Sequence, residues 1–161
     1  MKRSIFALAV FGVVLCLASG GCHDNNTVTA ANQSLVRLTV DAPDTAKSGT
    51  QFGVQVRALN VGVAGIHNGH VTVTLPLPLT VLSVSAPSGT SATFGNGASG
   101  GTVDWNLGTL DSNTQDKIDI TVMGVLGTTE ATKKVTVVAQ MTADGIKPGD
   151  AVAQDDVTLV Q

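Results

Sequence analysis

The sequence predicts an all-β fold, an antiparallel β-sandwich of about seven to eight strands, behind an N-terminal signal peptide that is removed. Two observations predict the sandwich. From residue 35 onward, apolar residues recur at every second position, which is the pattern of strands with one buried face. Nearly every break between these segments contains Gly, Pro, Asn or Asp, and no stretch among them supports a helix of ten residues. Short strands joined by turns are therefore expected throughout.

The chain begins with the features of a secretory leader. Lys2 and Arg3 give a positive start, an unbroken apolar run covers residues 5–18, and the small residues Ser19-Gly20-Gly21 lead into Cys22. This run is shorter than the roughly 20 residues that cross a bilayer core. A signal peptide over residues 1–21 is therefore predicted rather than a transmembrane helix.

The segment Ser19-Gly20-Gly21-Cys22 resembles the lipobox of bacterial lipoproteins. The resemblance implies that Cys22 carries diacylglycerol and fatty acid such as palmitate, and that membrane lipid is a partner through the acylated cysteine. The implied location is the bacterial cell envelope, lipid-anchored and extracytoplasmic, on the inner membrane, the outer membrane or the cell surface. Ordinary secretion, with Cys22 merely close to the cut, is the alternative.

The mature chain divides into a tether and one folded domain. Residues 22–34 are polar and rich in Asn and Thr, without apolar periodicity, and are predicted to be the lipidated cysteine and a flexible tether. Residues 35–161 are enough for one sandwich domain with a sizeable core.

The charge of the chain argues against a nucleic-acid partner. Of its 9 basic side chains two lie in the leader, which leaves 7 against 12 acidic ones. The largest basic cluster is the pair Lys133-Lys134, whereas phosphate binding needs an extended basic surface.

Eight segments show the alternation of strands. They cover residues 36–40, 52–58, 71–75, 81–86, 103–107, 118–122, 135–141 and 157–159. Pro43 and the turn residues 47–50 lie between the first two segments, which are therefore predicted to be neighbouring strands joined by a surface loop. The fourth segment places either Val81 or Leu82 on its buried face. In the fifth, Trp105 shares a face with Val103 and Leu107 and is predicted to fill the space between two sheets as the marker of the core.

The breaks between the predicted strands are expected to be loops and turns. They cover residues 60–69, 76–78, 88–101, 111–113, 127–129 and 144–150. The two longest, 61–69 and 88–101, are the places long enough to build a binding site.

Three blocks of sequence carry a family resemblance. They are Leu38-Thr39-Val40-Asp41-Ala42-Pro43-Asp44-Thr45-Ala46, Val71-Thr72-Val73-Thr74-Leu75-Pro76, and Thr102-Val103-Asp104-Trp105-Asn106-Leu107-Gly108-Thr109-Leu110. Together they resemble the bacterial extracellular repeat domain catalogued as domain of unknown function eleven. The resemblance implies an immunoglobulin-like β-sandwich. One copy is found here, whereas the family commonly occurs in tandem arrays.

Few residues have the arrangement of a catalytic or metal site. His67 and His70 stand three apart in a predicted glycine-rich loop, but no third ligand can be identified, so no metal and no cofactor are predicted. Four acidic residues near the C-terminus, Asp144, Asp150, Asp155 and Asp156, fit no calcium-loop spacing. No nucleophile elbow or local His–nucleophile pair occurs. The chain is therefore predicted not to be an enzyme.

These observations predict a non-catalytic cell-envelope lipoprotein module for adhesion, scaffolding or contact with a protein partner. Phe94, His67 and His70 are the candidate contacts in loops. The alternative is an extracytoplasmic domain that binds a small ligand or glycan. Sugar platforms depend on exposed aromatic rings, and of the three aromatic residues after Cys22 only Phe94 falls in a predicted loop.

Overall fold

The computed structural model describes residues 36–161. They form ten strands: β1 (Val36–Asp41), β2 (Thr45–Lys47), β3 (Gln51–Asn60), β4 (Ile66–Pro76), β5 (Leu79–Ser85), β6 (Ser91–Gly97), β7 (Gly100–Leu110), β8 (Gln115–Gly124), β9 (Thr132–Ala143) and β10 (Ile146–Val160). No helix in this range is long and apolar enough to cross a membrane. The predicted signal peptide, Cys22 and the tether over residues 22–34 lie outside the described residues.

The strands form two sheets. The four-stranded sheet has the order β1-β3-β8-β5, and the six-stranded sheet has the order β2-β10-β9-β4-β7-β6. Neighbouring strands are antiparallel, except that β2 runs parallel to β10. The predicted all-β sandwich is confirmed, with ten strands in place of the seven to eight expected.

The core lies between the two sheets and contains most of the residues that alternation predicts to be buried, together with others outside the predicted strands, such as Leu79 and Ala153. Val103, Trp105 and Leu107 of β7 all point inward, and Trp105 is fully buried, in agreement with the predicted register. Its indole Nε1 donates a hydrogen bond to Thr90 Oγ1 at 3.1 Å. A buried indole N–H needs such a partner, because its loss of water would otherwise be uncompensated.

A bulge settles which residue of β5 faces the core. The Cα partner of Val81 is Val122 and that of Ser83 is Thr121, so Leu82 is the extra residue. Val81 is therefore buried and Leu82 is half-buried. An inserted residue shifts the facing of all that follow, which is why alternation alone left both options open.

Two strands were missed by the prediction. The segment Thr45–Lys47 has only 3 residues, too few for alternation to be seen. In Ser91–Gly97 six of the seven residues are exposed, so no contrast between an apolar and a polar face exists to be recognised. Residues 88–101 are thus largely a hairpin, with Gly97 paired to Gly100, and the prediction of a long loop there is wrong.

Two predicted loops are likewise shortened by strands. β4 begins at Ile66, inside the predicted break 60–69, and β10 begins at Ile146, inside the predicted turn 144–150. Both starts are irregular, with register shifts between Ile66 and His70 and between Ile146 and Ala151. These shifts break the alternation that would have shown the strands.

Polar side chains connect the two sheets along both sides of the sandwich. On one side, Asp155 Oδ2 accepts a hydrogen bond from the backbone N–H of Ala42 at 2.8 Å. On the other, the Asn96 side chain accepts from the N–H of Val81 at 2.9 Å and donates to its C=O at 2.8 Å. Asn96 on β6 thereby satisfies both backbone groups of Val81 on β5.

One carboxylate on the outer face of the six-stranded sheet has a shifted pKa. Asp156 accepts hydrogen bonds from Lys134 Nζ at 2.7 Å and from Thr136 Oγ1 at 2.6 Å. These bonds hold the pKa of Asp156 below its usual value, and partial burial opposes them.

Replacing Asp156 with Asn is expected to lower the free energy of unfolding at neutral pH, by an amount that fades at acid pH. A carboxyl group whose pKa is lowered by folding stabilises the fold above its unfolded-state pKa, about 3.9 for Asp. That contribution is lost as the pH falls through the folded-state pKa. Urea unfolding of the parent and of Asp156→Asn, at about pH 7 and at about pH 3, measures the difference in their free energies of unfolding. A difference that stays constant with pH would contradict a role for the charge.

Candidate functional site

The two predicted loop histidines lie on strand β4. His67 is exposed, and its Nδ1 is 3.2 Å from Thr109 Oγ1. His70 is half-buried and is paired with Asn106 of β7 and Thr142 of β9. Within residues 36–161, no group of three or more His, Cys, Asp or Glu side chains is placed to hold a metal ion.

The four acidic residues near the C-terminus do not converge. Asp144 accepts a hydrogen bond from Asn68 Nδ2 at 3.0 Å, and Asp150 accepts one from the N–H of Lys147 at 3.0 Å. Asp155 accepts a hydrogen bond from the N–H of Ala42, just after β1, and Asp156 bonds to Lys134. Each carboxylate thus stabilises its own part of the fold.

Phe94 is exposed, but it lies on strand β6 and not in a loop, which corrects the predicted setting. Its Cα partner is Val103, and that of Ala92 is Trp105, so Phe94 and Ala92 share the inward-facing side of β6. Ala92 packs against the core, whereas 44% of Phe94 remains exposed. An aromatic ring at the margin of the sandwich is therefore available to a partner.

Strand β6 is an edge of the six-stranded sheet, since it pairs with β7 on one side only. Its sequence, Ser-Ala-Thr-Phe-Gly-Asn-Gly, has no charged residue and no proline. An edge strand presents unpaired N–H and C=O groups, which proteins usually protect with charge, proline or a covering segment. The chemistry that fits such an edge is another extended strand.

The other edge strands in the described part of the chain are better protected. β1 carries Arg37 and Asp41, and β2 has only 3 residues, one of which is Lys47. On β5 the backbone groups of Val81 are occupied by Asn96. The same bridge holds the Asn96 end of β6 against β5, so the candidate binding edge is the part of β6 from Ser91 to Gly95.

The remaining large exposed apolar side chains of residues 36–161 lie at opposite ends of the sandwich. Val61 and Val63 follow β3, whose last residue, Asn60, is paired with Val36; we call this the entry end. Leu77 and Val125 lie at the other end, where the Val125 N–H donates to Pro78 O at 3.4 Å.

A groove of about 490 Å³ lies on the outer face of the four-stranded sheet. Its polar side chains bond to one another. Gln55 Nε2 donates to Asp119 Oδ1 at 2.6 Å, Arg57 Nε donates to Gln55 Oε1 at 2.5 Å, and Arg57 lies 3.7 Å from Asp41. At Gly53, which also lines the groove, an added Cβ would meet nothing within 4 Å. The groove is open and polar, a feature that alternation could not indicate because its lining comes from three strands and from the connection after β1.

Sequence reasoning also missed Asn60, the fully buried polar residue at the end of β3. The sequence does contain a signal for its burial, because Asn60 occupies the next inward position after Val54, Val56 and Ala58. A polar residue in such a series indicates a buried group with satisfied hydrogen bonds.

No protein-family model matches this chain, and no curated protein matches it. Solved structures do share its fold. A cohesin module from a Clostridium perfringens family 33 glycoside hydrolase has a TM-score of 0.58 at 10% identity, over 80% of this chain and 98% of that one. A CARDB domain from Pyrococcus furiosus, in complex with di-metal ions, has a TM-score of 0.55 at 12% identity, over 82% and 97%.

Two further similar structures differ in what they do. The sixth cohesin of scaffoldin B from Acetivibrio cellulolyticus, in complex with a dockerin, has a TM-score of 0.53 at 15% identity, over 79% of this chain and 99% of that one. AvmM, which catalyses macrocyclization in alchivemycin A biosynthesis, has a TM-score of 0.51 at 12% identity, over 80% and 90%. At such low sequence identities the similarity shows a shared fold only, and proteins of one fold can have different functions. The chain is an immunoglobulin-like β-sandwich, similar in fold to cohesin and CARDB domains.

Proposed function

We propose that this chain is a lipid-anchored, non-catalytic module of a bacterial cell envelope that binds an extended segment of another protein along strand β6. The observation that carries the proposal is the edge of β6, which is uncharged and exposed and bears the half-exposed Phe94. Backbone hydrogen bonds to the edge would supply affinity, and contact with the ring would supply selectivity.

The anchoring part of the proposal is supported by the leader and by the lipobox resemblance at Cys22. Residues 23–35 separate Cys22 from the first described strand. If these residues form the predicted tether, they would span on the order of 20 Å root-mean-square. The sandwich would therefore stay close to the membrane surface.

The binding part is supported by the fold and by the arrangement of polar groups. One cohesin of similar fold binds another protein, a dockerin. In the described residues Nδ1 of His67 is 3.2 Å from Thr109 Oγ1, and neither His67 nor His70 makes a hydrogen bond to a carboxylate that would orient it as a base. A catalytic triad needs such an orienting group, so binding is favoured over catalysis.

A photo-crosslinking residue in place of Phe94, in cells that express the full chain, tests the proposal. Light should produce an adduct with another protein. Gly95→Lys should abolish it, because it places a charge on the β6 edge at a site where an added Cβ meets nothing within 4 Å. Gly53→Lys is the matched control, since it makes the same change in equally open space on the other sheet. An adduct between two copies of this chain, or one that survives Gly95→Lys, would overturn the proposal.

The groove beside Gly53 supports the alternative function, binding of a small ligand or glycan. Its volume of about 490 Å³ has room for a small ligand, most of whose surface would remain in contact with solvent because the groove is open. For this alternative, Gly53→Lys becomes the disruptive variant and Gly95→Lys becomes the control. Gly53→Lys would abolish binding on a glycan array, whereas Gly95→Lys would leave it unchanged.

A further inference from the structure

The connection between β3 and β4, residues 61–65, is an apolar loop at the entry end of the sandwich. Its sequence is Val-Gly-Val-Ala-Gly, and we call it the valine loop. Val36, the first described residue, is paired with Asn60, which immediately precedes the loop. The chain therefore enters the sandwich beside the valine loop.

The side chains of Asn60 and Ser112 bond to the backbone of the valine loop. The buried Asn60 donates through Nδ2 to Ala64 O at 2.8 Å and to Leu110 O at 3.0 Å, and its Oδ1 accepts from the Gly62 N–H at 2.8 Å. Ser112 Oγ donates to Gly62 O at 2.7 Å. Both backbone groups of Gly62 are thus satisfied within the protein.

The same arrangement turns the apolar side chains outward. Val63 is 98% exposed and Val61 is 51% exposed. A single exposed valine is ordinary on a protein surface. Two on a loop with no polar side chain make a small apolar tip, in which the N–H and C=O of Gly62 and the C=O of Ala64 are bonded within the protein. These groups need no partner from water or lipid when the tip meets an apolar phase.

We propose that the valine loop contacts the lipid surface to which the chain is anchored. This inference rests on the proposed anchoring at Cys22, because two valines alone bind membranes weakly. The 13 residues from 23 to 35 lead from the anchor to the entry end, so the loop is held near the membrane at high effective concentration. Contact orients the sandwich with Leu77 and Val125 away from the membrane.

The charges at the entry end indicate which lipids suit the contact. Asp111 Oδ1 is 3.8 Å from the position of a Cβ added at Gly65, and exposed Asp144 lies in the β9–β10 turn at the same end. Arg37 near the start of β1 and Lys147 near the start of β10 place positive charges there as well. Charges of both signs give no preference for a strongly charged surface, so zwitterionic lipid is the surface proposed.

The test uses the full-length lipidated protein in phosphatidylcholine vesicles. An environment-sensitive fluorophore is attached at Val63→Cys in one sample and at Val125→Cys in another. Val125 is 54% exposed and lies at the opposite end, so it is the matched control. We expect a blue shift and quenching by brominated lipid at position 63 that is several times the quenching at position 125.

Flotation of the vesicles separates failure of the inference from failure of the anchoring. Protein that floats, but whose label at position 63 is quenched no more than the label at 125, overturns the valine-loop contact alone. Protein that remains in the aqueous phase, with Cys22→Ser behaving in the same way, overturns the anchoring and the contact together.

Discussion

Replacing Trp105 with Ala is expected to lower the free energy of unfolding by roughly 3 to 5 kcal/mol. Trp105 is fully buried and is flanked by Val71 of β4 and Ala92 of β6. Its removal leaves a large cavity and deprives Thr90 Oγ1 of its indole donor. Because domains are typically stable by about 5 to 15 kcal/mol, much of the variant is expected to be unfolded or degraded.

Urea unfolding followed by far-UV circular dichroism measures this effect, since Trp105 is the chain's single tryptophan and fluorescence is lost with it. Phe94→Ala is the control, because it removes an aromatic ring that is already half-exposed and should cost much less. In the parent protein, acrylamide should quench the fluorescence of Trp105 only weakly. A Trp105→Ala protein as stable as the parent would contradict the β7 register.

Gly100→Ala is expected to destabilise the protein by roughly 3 kcal/mol or more, through strain and overlap together. Gly100 begins β7 with φ +120°, a conformation that side chains disfavour. An added Cβ would lie 2.2 Å from Leu75 O and 2.8 Å from two backbone atoms of Pro76. Because these are backbone atoms of the neighbouring strand, they cannot rotate away, and β4 and β7 would have to separate.

Substitutions at two other glycines separate the effect of backbone strain from the effect of steric overlap. Gly108 has φ +66° but nothing within 4 Å of an added Cβ, so Gly108→Ala should show the backbone strain alone, about 1 to 2 kcal/mol. Gly53 has open space and no such φ, and Gly53→Ala should change the stability little. Equal losses at Gly100 and Gly108, measured by urea unfolding, would show that close packing against β4 is not the cause.

The candidate surfaces were only partly predictable from sequence. Phe94 was identified because it is an aromatic residue outside the alternating segments, yet its setting on an edge strand was missed. Strand β6 has no buried face strong enough to create a pattern. Val61 and Val63 lie inside a predicted loop, but their exposure follows from the hydrogen bonds of Asn60 to residues as distant as Leu110, which no local pattern reveals.

The sequence by itself determined the fold class, the strands with one buried face and the inward side of Trp105. Alternation is sufficient for these, because burial of one strand face is a local property with a period of two residues. The tertiary structure decided the partners of each strand, the parallel pairing of β2 with β10 and the bridge from Asn96 to Val81. It also left β6 paired with a neighbouring strand on one side only, since which strand remains at the edge depends on how all the others have paired.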